Sequence, residues 1–127
     1  MRVLILGGGG AIGSAIARHA DDAGVDTHVG LRPGAEGSRL AAHPRIRRHA
    51  VDVADAGAVE SLLAANAPDC IVMAAFPGGI APRREDRRGM LRGACDGVLA
   101  VLEGAHAAGF GGRIVWMGSA LAIDRTV

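Results

Sequence analysis

The chain of 127 residues contains no tyrosine and no lysine, and all 14 of its basic residues are arginines. A mechanism that uses a phenol as an acid, or a lysine as a base or Schiff-base partner, therefore has no such group within this chain. Aromatic residues make up only 2% of the sequence. The core must therefore be built from alanine, valine, leucine and isoleucine, which suits helices packed closely on a parallel sheet.

Strong charge and long apolar segments are also lacking. A formal net charge of +1 gives no electrostatic reason to expect binding to nucleic acid or to an anionic membrane. The uncharged stretch from Cys70 to Pro82 is too short to cross a bilayer, and no signal peptide is visible because the apolar N-terminal run ends at Leu6. The five histidines show no metal-ligand spacing, so no metal site is predicted. Cys70 and Cys95 are interpreted as buried thiols in a reducing compartment, which predicts a cytoplasmic protein.

The most informative stretch is an apolar run, Val3 to Leu6, that is followed by four glycines and then by an amphipathic helix. The glycines satisfy both the GxGxxG and the GxxGxxG spacing, and both spacings end at Gly13. A strand, glycine turn and helix in this order direct backbone N–H groups and the positive end of the helix dipole towards one point, which suits a diphosphate. A plain tight turn is the alternative, but the flanking strand and helix favour nucleotide binding. The predicted contacts are at Gly7, Gly10, Ala11, Ile12 and Gly13.

Strands and helices alternate along the whole chain with short connections. The patterns predict strands at 2–6, 27–31, 46–51, 70–75 and 113–117, and helices at 11–23, 36–42, 56–65 and through 98–105. Within the first helix, Ile12, Ala15, Ile16 and His19 are predicted to form the buried face, and Asp55 is predicted to cap the helix at 56–65. Right-handed crossovers then give one α/β domain, a doubly wound parallel Rossmann sheet of strand order 3-2-1-4-5.

Arg32 closes the second predicted strand, 19 residues after Gly13. An acid at this place would hydrogen-bond a ribose 2′-hydroxyl, whereas an arginine can pair with a 2′-phosphate. The last acid before Arg32 is Asp26, and positions 27 to 35 contain none. The sequence therefore favours NADP, with NAD as the alternative, although Arg32 could also be a solvated turn residue.

Taken in order, these motifs resemble the N-terminal part of the short-chain dehydrogenase/reductase superfamily, in its extended or atypical branch, which is similar to epimerases and dehydratases. Asp52 and Val53 resemble the pair that contacts adenine, and Ala74 and Ala75 resemble the small pair that lines the cofactor. The helix from Gly97 to Glu103, and the strand from Ile114 to Ala120, resemble the family's long helix and fifth strand. The resemblance implies cofactor contacts at Asp52, Val53, Ala74, Ala75 and Phe76, and a catalytic role for Ser119.

The family's Tyr-x-x-x-Lys motif would lie about one helix beyond Ser119, so we expect an incomplete Rossmann domain that lacks the C-terminal part of the fold. Ser119 would orient the oxygen of a small-molecule substrate, but it cannot supply the proton for a reduction alone. It could instead be a strand-terminal serine bonded to the backbone. The rival functions are a catalytically silent dinucleotide-binding subunit and an assembly surface. An uncovered fifth strand predicts a homo-oligomer or a second polypeptide that completes the sheet.

Overall fold

The computed structural model describes residues 1–75 and 87–118. Five strands alternate with three helices and a short 3-10 turn, Ser38–Leu40. The strands are β1 Arg2–Leu6, β2 Asp26–Leu31, β3 Arg47–Ala50, β4 Cys70–Met73 and β5 Arg113–Trp116, and the helices are α1 Ala11–Asp22, α2 Ala56–Asn66 and α3 Arg87–Ala107. All strand pairs are parallel, in the order β3-β2-β1-β4-β5. The predicted doubly wound topology is confirmed.

The core forms two layers, one on each face of the sheet. On one face, Leu4 and Leu6 of β1 pack with Val59 of α2 and Val101 of α3. On the other face, β1 contributes Val3 and Ile5, and α1 contributes Ala17. The central strand β1 is thus covered on both sides, as its uninterrupted apolar sequence predicts.

Local signals end the elements where the sequence indicates. The side chain of Asp55 accepts a hydrogen bond from the Ala58 N–H at 3.1 Å, which confirms it as the N-cap of α2. Helix α1 ends beside Gly24, whose φ of 76° lies in the left-handed region that favours glycine. The predicted helix at 36–42 is shorter than expected, because left-handed Gly37 precedes the 3-10 turn.

The predicted buried face of α1 is wrong for Ile12, Ala15 and His19, which are exposed, whereas Ile16 is half-buried and packs against the core. The buried residues are Gly13, Ser14, Ala17 and Asp21, whereas Ile12 is 58% exposed. The start of α1 lies so close to the glycine turn that a Cβ on Gly13 would overlap the Gly7 carbonyl. Small residues therefore face the sheet, and the larger apolar side chain of Ile12 faces outwards.

Two further features concern surface exposure. Cys95 is exposed and Cys70 is partly buried, so the prediction of two buried thiols is wrong for Cys95, which lies on the outer side of α3. Strand β5 is an edge strand among the described residues, and Val115 and Trp116 are 40% and 42% exposed.

The helices in the described part of the chain were also compared with the length and hydrophobicity that a membrane span requires. None of them meets both requirements.

Candidate functional site

A cleft of about 590 Å³ opens where the carboxyl ends of β1, β2 and β4 meet. This is the place in a doubly wound sheet where the strand order reverses and where ligands bind. Its walls are the glycine turn after β1, the β2–β3 connection, the β3–α2 connection, the end of β4 and the first half of α3.

The glycine turn is fixed by its own backbone. Gly7 has a φ of 87°, and the N–H groups of Gly7 and Gly8 both donate to the Gly30 carbonyl, at 3.0 and 3.2 Å. The Gly10 N–H donates to the Gly7 carbonyl at 3.0 Å. Gly10 is the N-cap of α1 and offers no side chain to accept the first N–H groups of the helix. An anion placed at this helix start would supply the missing acceptor.

A side chain would have different effects at different glycines of this turn. A Cβ on Gly7 would collide with the Ala74–Ala75 backbone, and a Cβ on Gly13 would collide with the Gly7 carbonyl. At Gly10 the nearest atom to an added Cβ is the Gly7 oxygen at 3.4 Å, and the φ of −72° suits any residue. The fold therefore requires glycine at positions 7 and 13. At position 10, absence of a side chain leaves the backbone open to the cleft.

Asp52 and Val53 line the cleft from the β3–α2 connection. One oxygen of Asp52 accepts the Ala54 N–H at 3.0 Å, and the Asp52 carbonyl accepts the Asp55 N–H. The carboxylate is thus oriented by a local turn, and its second oxygen accepts no hydrogen bond from another described residue. Such an oxygen can accept a hydrogen bond from an amino group on a ligand.

The β2–β3 connection carries charge into the cleft. Arg32 lines it, and the Arg32 carbonyl accepts the Ala35 N–H at 2.9 Å to close a tight turn. Arg39 donates to the Gly9 carbonyl at 3.4 Å and so joins this connection to the glycine turn. Glu36, which the sequence reasoning missed, also lines the cleft. The sequence did offer a signal for Glu36, because it is the first acid after the acid-free positions 27 to 35.

Most predicted contacts meet at this cleft. The predicted residues that line it are Gly7, Gly10, Arg32, Asp52, Val53, Ala74 and Ala75. Ala11, Ile12 and Gly13 do not line it, because they belong to the helix that starts behind the turn. Phe76 and Ser119 lie outside the described residues. The sequence reasoning also missed Gly93 and Ala94 of α3, small residues that form the opposite wall.

Two polar clusters support the elements around the cleft. The imidazoles of His28 and His49 stack at 5.1 Å between β2 and β3, with Nδ1 of His28 and Nε2 of His49 3.0 Å apart. Burial lowers the pKa of both groups. Nε2 of His28 lies 3.3 Å from an Asp26 oxygen, but it is not aligned to form a hydrogen bond with any described residue.

The second cluster anchors the β2–β3 connection to α1. Asp21 accepts hydrogen bonds from His43 at 2.9 Å and from Arg45 at 3.0 Å, and these bonds hold the pKa of the Asp21 carboxyl below its ordinary value. Metal ions are bound by carboxylate oxygens and imidazole nitrogens, and such atoms of Asp21, Asp22 and His43 lie within 4.8 Å of one another. Because His43 and Arg45 already use the Asp21 oxygens, we interpret this cluster as a structural anchor.

Known structures share the fold of this chain. UDP-glucose-4-epimerase from Stenotrophomonas maltophila, with bound NAD and formylated UDP-arabinopyranose, has a TM-score of 0.83 and 20% identity, over 95% of this chain and 38% of its own. The Bordetella bronchiseptica enzyme WbmH, in complex with NAD+, has a TM-score of 0.76 and 26% identity, over 94% and 40%. Yeast methylglyoxal/isovaleraldehyde reductase Gre2, complexed with NADPH, has a TM-score of 0.81 and 19% identity, over 98% and 39%.

The chain spans about two fifths of the length of these structures. A search among curated proteins found no match. The model of the NAD dependent epimerase/dehydratase family matches residues 3–125, which is nearly the whole chain. The glycine turn, the sheet order and this match agree, and the chain belongs to the NAD dependent epimerase/dehydratase family.

Proposed function

We propose that this chain is the NADP-binding part of an extended or atypical short-chain dehydrogenase/reductase. The observation that carries the choice of NADP is the place of Arg32, which lines the same cleft as the glycine turn, at the end of β2. An arginine there pairs with a 2′-phosphate, which NAD lacks. Among the structures above, one contains NADPH and two contain NAD, so the choice rests on this chain's own residues.

The residues of the cleft fit a dinucleotide. The open backbone at Gly10 and the uncapped start of α1 would receive the diphosphate, and Asp52 would accept a hydrogen bond from the adenine amino group. Arg32 would pair with the 2′-phosphate. Arg39, held at 3.4 Å from the Gly9 carbonyl, would add positive charge beside the turn. When bound, the nicotinamide supplies or accepts a hydride.

Catalysis needs more than this cleft. We propose that Ser119 orients the substrate oxygen, and that a proton donor comes from outside these residues, because the chain has neither tyrosine nor lysine. The same composition favours a second candidate, a catalytically silent subunit that binds the dinucleotide and acts through a partner. An assay of NADPH oxidation with a panel of carbonyl substrates separates the two functions, when it is run with and without a polypeptide that supplies the C-terminal part of the family fold. Turnover only with that polypeptide supports the enzyme, and binding without turnover in either case supports the silent subunit.

Calorimetric titration with NADP+ and NAD+ tests the cofactor choice. Arg32→Ala should weaken NADP+ binding about tenfold to a hundredfold, because a charged hydrogen bond is lost, and should change NAD+ binding much less. Arg113→Ala is the matched control, since Arg113 is exposed on β5 and does not line the cleft. Equal losses for both cofactors in Arg32→Ala would contradict the proposed preference.

We also propose that the edge of β5 is completed by a second copy or by another polypeptide. Val115 and Trp116 expose apolar surface on a strand whose outer backbone groups pair with no other described strand. Sedimentation of the chain should show an oligomer, or a monomer that assembles on addition of the partner. A stable monomer that no polypeptide joins would contradict this.

We propose that the protein is located in the cytoplasm. The free thiols of Cys70 and Cys95 are compatible with this reducing compartment.

A further inference from the structure

A carboxylate and a guanidinium lie close along the chain at one end of the cleft. Arg32 and Glu36 both line it, and the tight turn between them is closed by the hydrogen bond from the Ala35 N–H to the Arg32 carbonyl at 2.9 Å. Gly34 in this turn has a φ of 82°. The turn brings the chain back to the cleft immediately before Glu36.

The backbone after Glu36 is fixed as well. Gly37 is in the left-handed region with a φ of 62°, and a Cβ there would lie 3.0 Å from a methyl group of Leu31. Arg48 donates to the Leu40 carbonyl at 2.8 Å and holds the 3-10 turn against β3. Glu36 therefore lies between two constrained points, and its backbone has little freedom to leave the cleft wall.

No charged side chain in the described part of the chain neutralises either group. Within residues 1–75 and 87–118, Arg32 and Glu36 form no ion pair with each other or with another described group. Both residues are exposed at the cleft. A ligand that enters this end of the cleft meets one positive and one negative side chain.

We propose that Glu36 is a second specificity-determining residue of the cleft and that it opposes Arg32. This inference rests on the proposed function. A carboxylate accepts hydrogen bonds from ribose hydroxyls, which favours NAD, and it repels a 2′-phosphate, which disfavours NADP. Arg32 acts in the opposite sense. The chain should therefore bind both cofactors, with a preference for NADP that is smaller than Arg32 alone would give.

The test is calorimetric titration of the whole chain and of Glu36→Gln with NADP+ and NAD+. Glu36→Gln should tighten NADP+ binding about fivefold by removing a like charge near the phosphate, and should weaken NAD+ binding about twofold. Repeating the titration at high salt should reduce the gain for NADP+, because exposed charges are screened. Glu60→Gln is the matched control, since Glu60 is exposed on α2, does not line the cleft and loses the same charge.

A ratio of the two dissociation constants that is the same in Glu36→Gln and Glu60→Gln would overturn this inference, while the proposed function would stand if the wild-type chain binds NADP+. A wild-type chain that binds neither cofactor would overturn both. Because Glu36 is exposed, the substitution should leave the thermal unfolding curve unchanged, and this measurement confirms that the variant is folded.

Discussion

Replacing Gly10 by alanine separates a glycine required by a ligand from glycines required by the fold. An added Cβ would lie 3.4 Å from the Gly7 oxygen, an ordinary contact distance, and the backbone φ of −72° suits alanine. Reduced freedom of the unfolded chain should stabilise the variant by about 0.4–1 kcal/mol. Alanine is a poorer N-cap than glycine by up to about 1 kcal/mol. These effects nearly cancel, so the thermal unfolding temperature should change little.

Cofactor affinity should respond strongly to the same change. The Cβ would stand on the wall of the cleft, where the diphosphate must come within hydrogen-bonding distance of the backbone. A hydrogen bond to a charged group contributes about 1.5–3 kcal/mol, so the loss of one weakens binding about tenfold to a hundredfold. Calorimetric titration with NADP+ measures this loss, and circular dichroism during heating measures stability.

Gly13→Ala is the matched comparison. Its Cβ would overlap the Gly7 carbonyl, so the turn and α1 must move apart at a cost of about 1–3 kcal/mol. This variant should lose stability and affinity together, whereas Gly10→Ala should lose affinity alone. Wild-type affinity in Gly10→Ala would refute the placement of the diphosphate at this turn. Unfolding of Gly10→Ala would show instead that the fold itself requires glycine at this position.

Three further predictions concern stability. Burial lowers the pKa of His28 and His49, so unfolding takes up protons and stability should fall as the pH drops below about 6.5. The slope for each imidazole is at most about 1.4 kcal/mol per pH unit, the limit for uptake of one proton. Urea unfolding between pH 8 and pH 5 measures this fall, and a flat profile would contradict it. Asp55→Ala should cost about 1 kcal/mol through loss of the N-cap, with NADP+ affinity unchanged in titration. Asp21→Asn should lower the unfolding temperature more than Asp22→Asn, because Asp21 holds the β2–β3 connection whereas Asp22 is exposed. Calorimetric scans measure both temperatures, and equal shifts would argue against a structural anchor at Asp21.

The fold was predictable because its signals are local. Strands β1 and β4 are short, largely apolar runs of the expected length. Short connections with right-handed crossovers then leave few possible orders for the sheet. The inward face of α1 was only partly predictable from periodicity, because the apolar pattern points to Ile12 and Ile16, and of these only Ile16 packs against the core. The fully buried positions are small residues such as Gly13 and Ala17, and at Gly13 the turn and the helix approach too closely for a side chain.

The site was predictable in part for the same reason. The candidate residues Gly7, Gly10 and Asp52 follow from motifs at fixed distances from strands, and in the structure they line one cleft. Glu36 is different, because it reaches the cleft only through the turn before it and the left-handed Gly37 after it. The spacing that identifies Arg32 does not show that the chain returns to the cleft four residues later.

Among residues 1–75 and 87–118, the sheet has β3 at one edge and β5 at the other, and the two edges differ in a way that limits how copies can associate. Edge strand β3 carries exposed Arg47 and Arg48, and charged side chains of this kind oppose edge-to-edge pairing. Edge strand β5 exposes Val115 and Trp116. Pairing β5 of one copy with β3 of the next would build a ring or an open filament, and it would bring arginines against apolar side chains. Pairing β5 with β5 about a two-fold axis joins like apolar surfaces and closes the assembly, so it is the arrangement that the residues favour for a homo-oligomer.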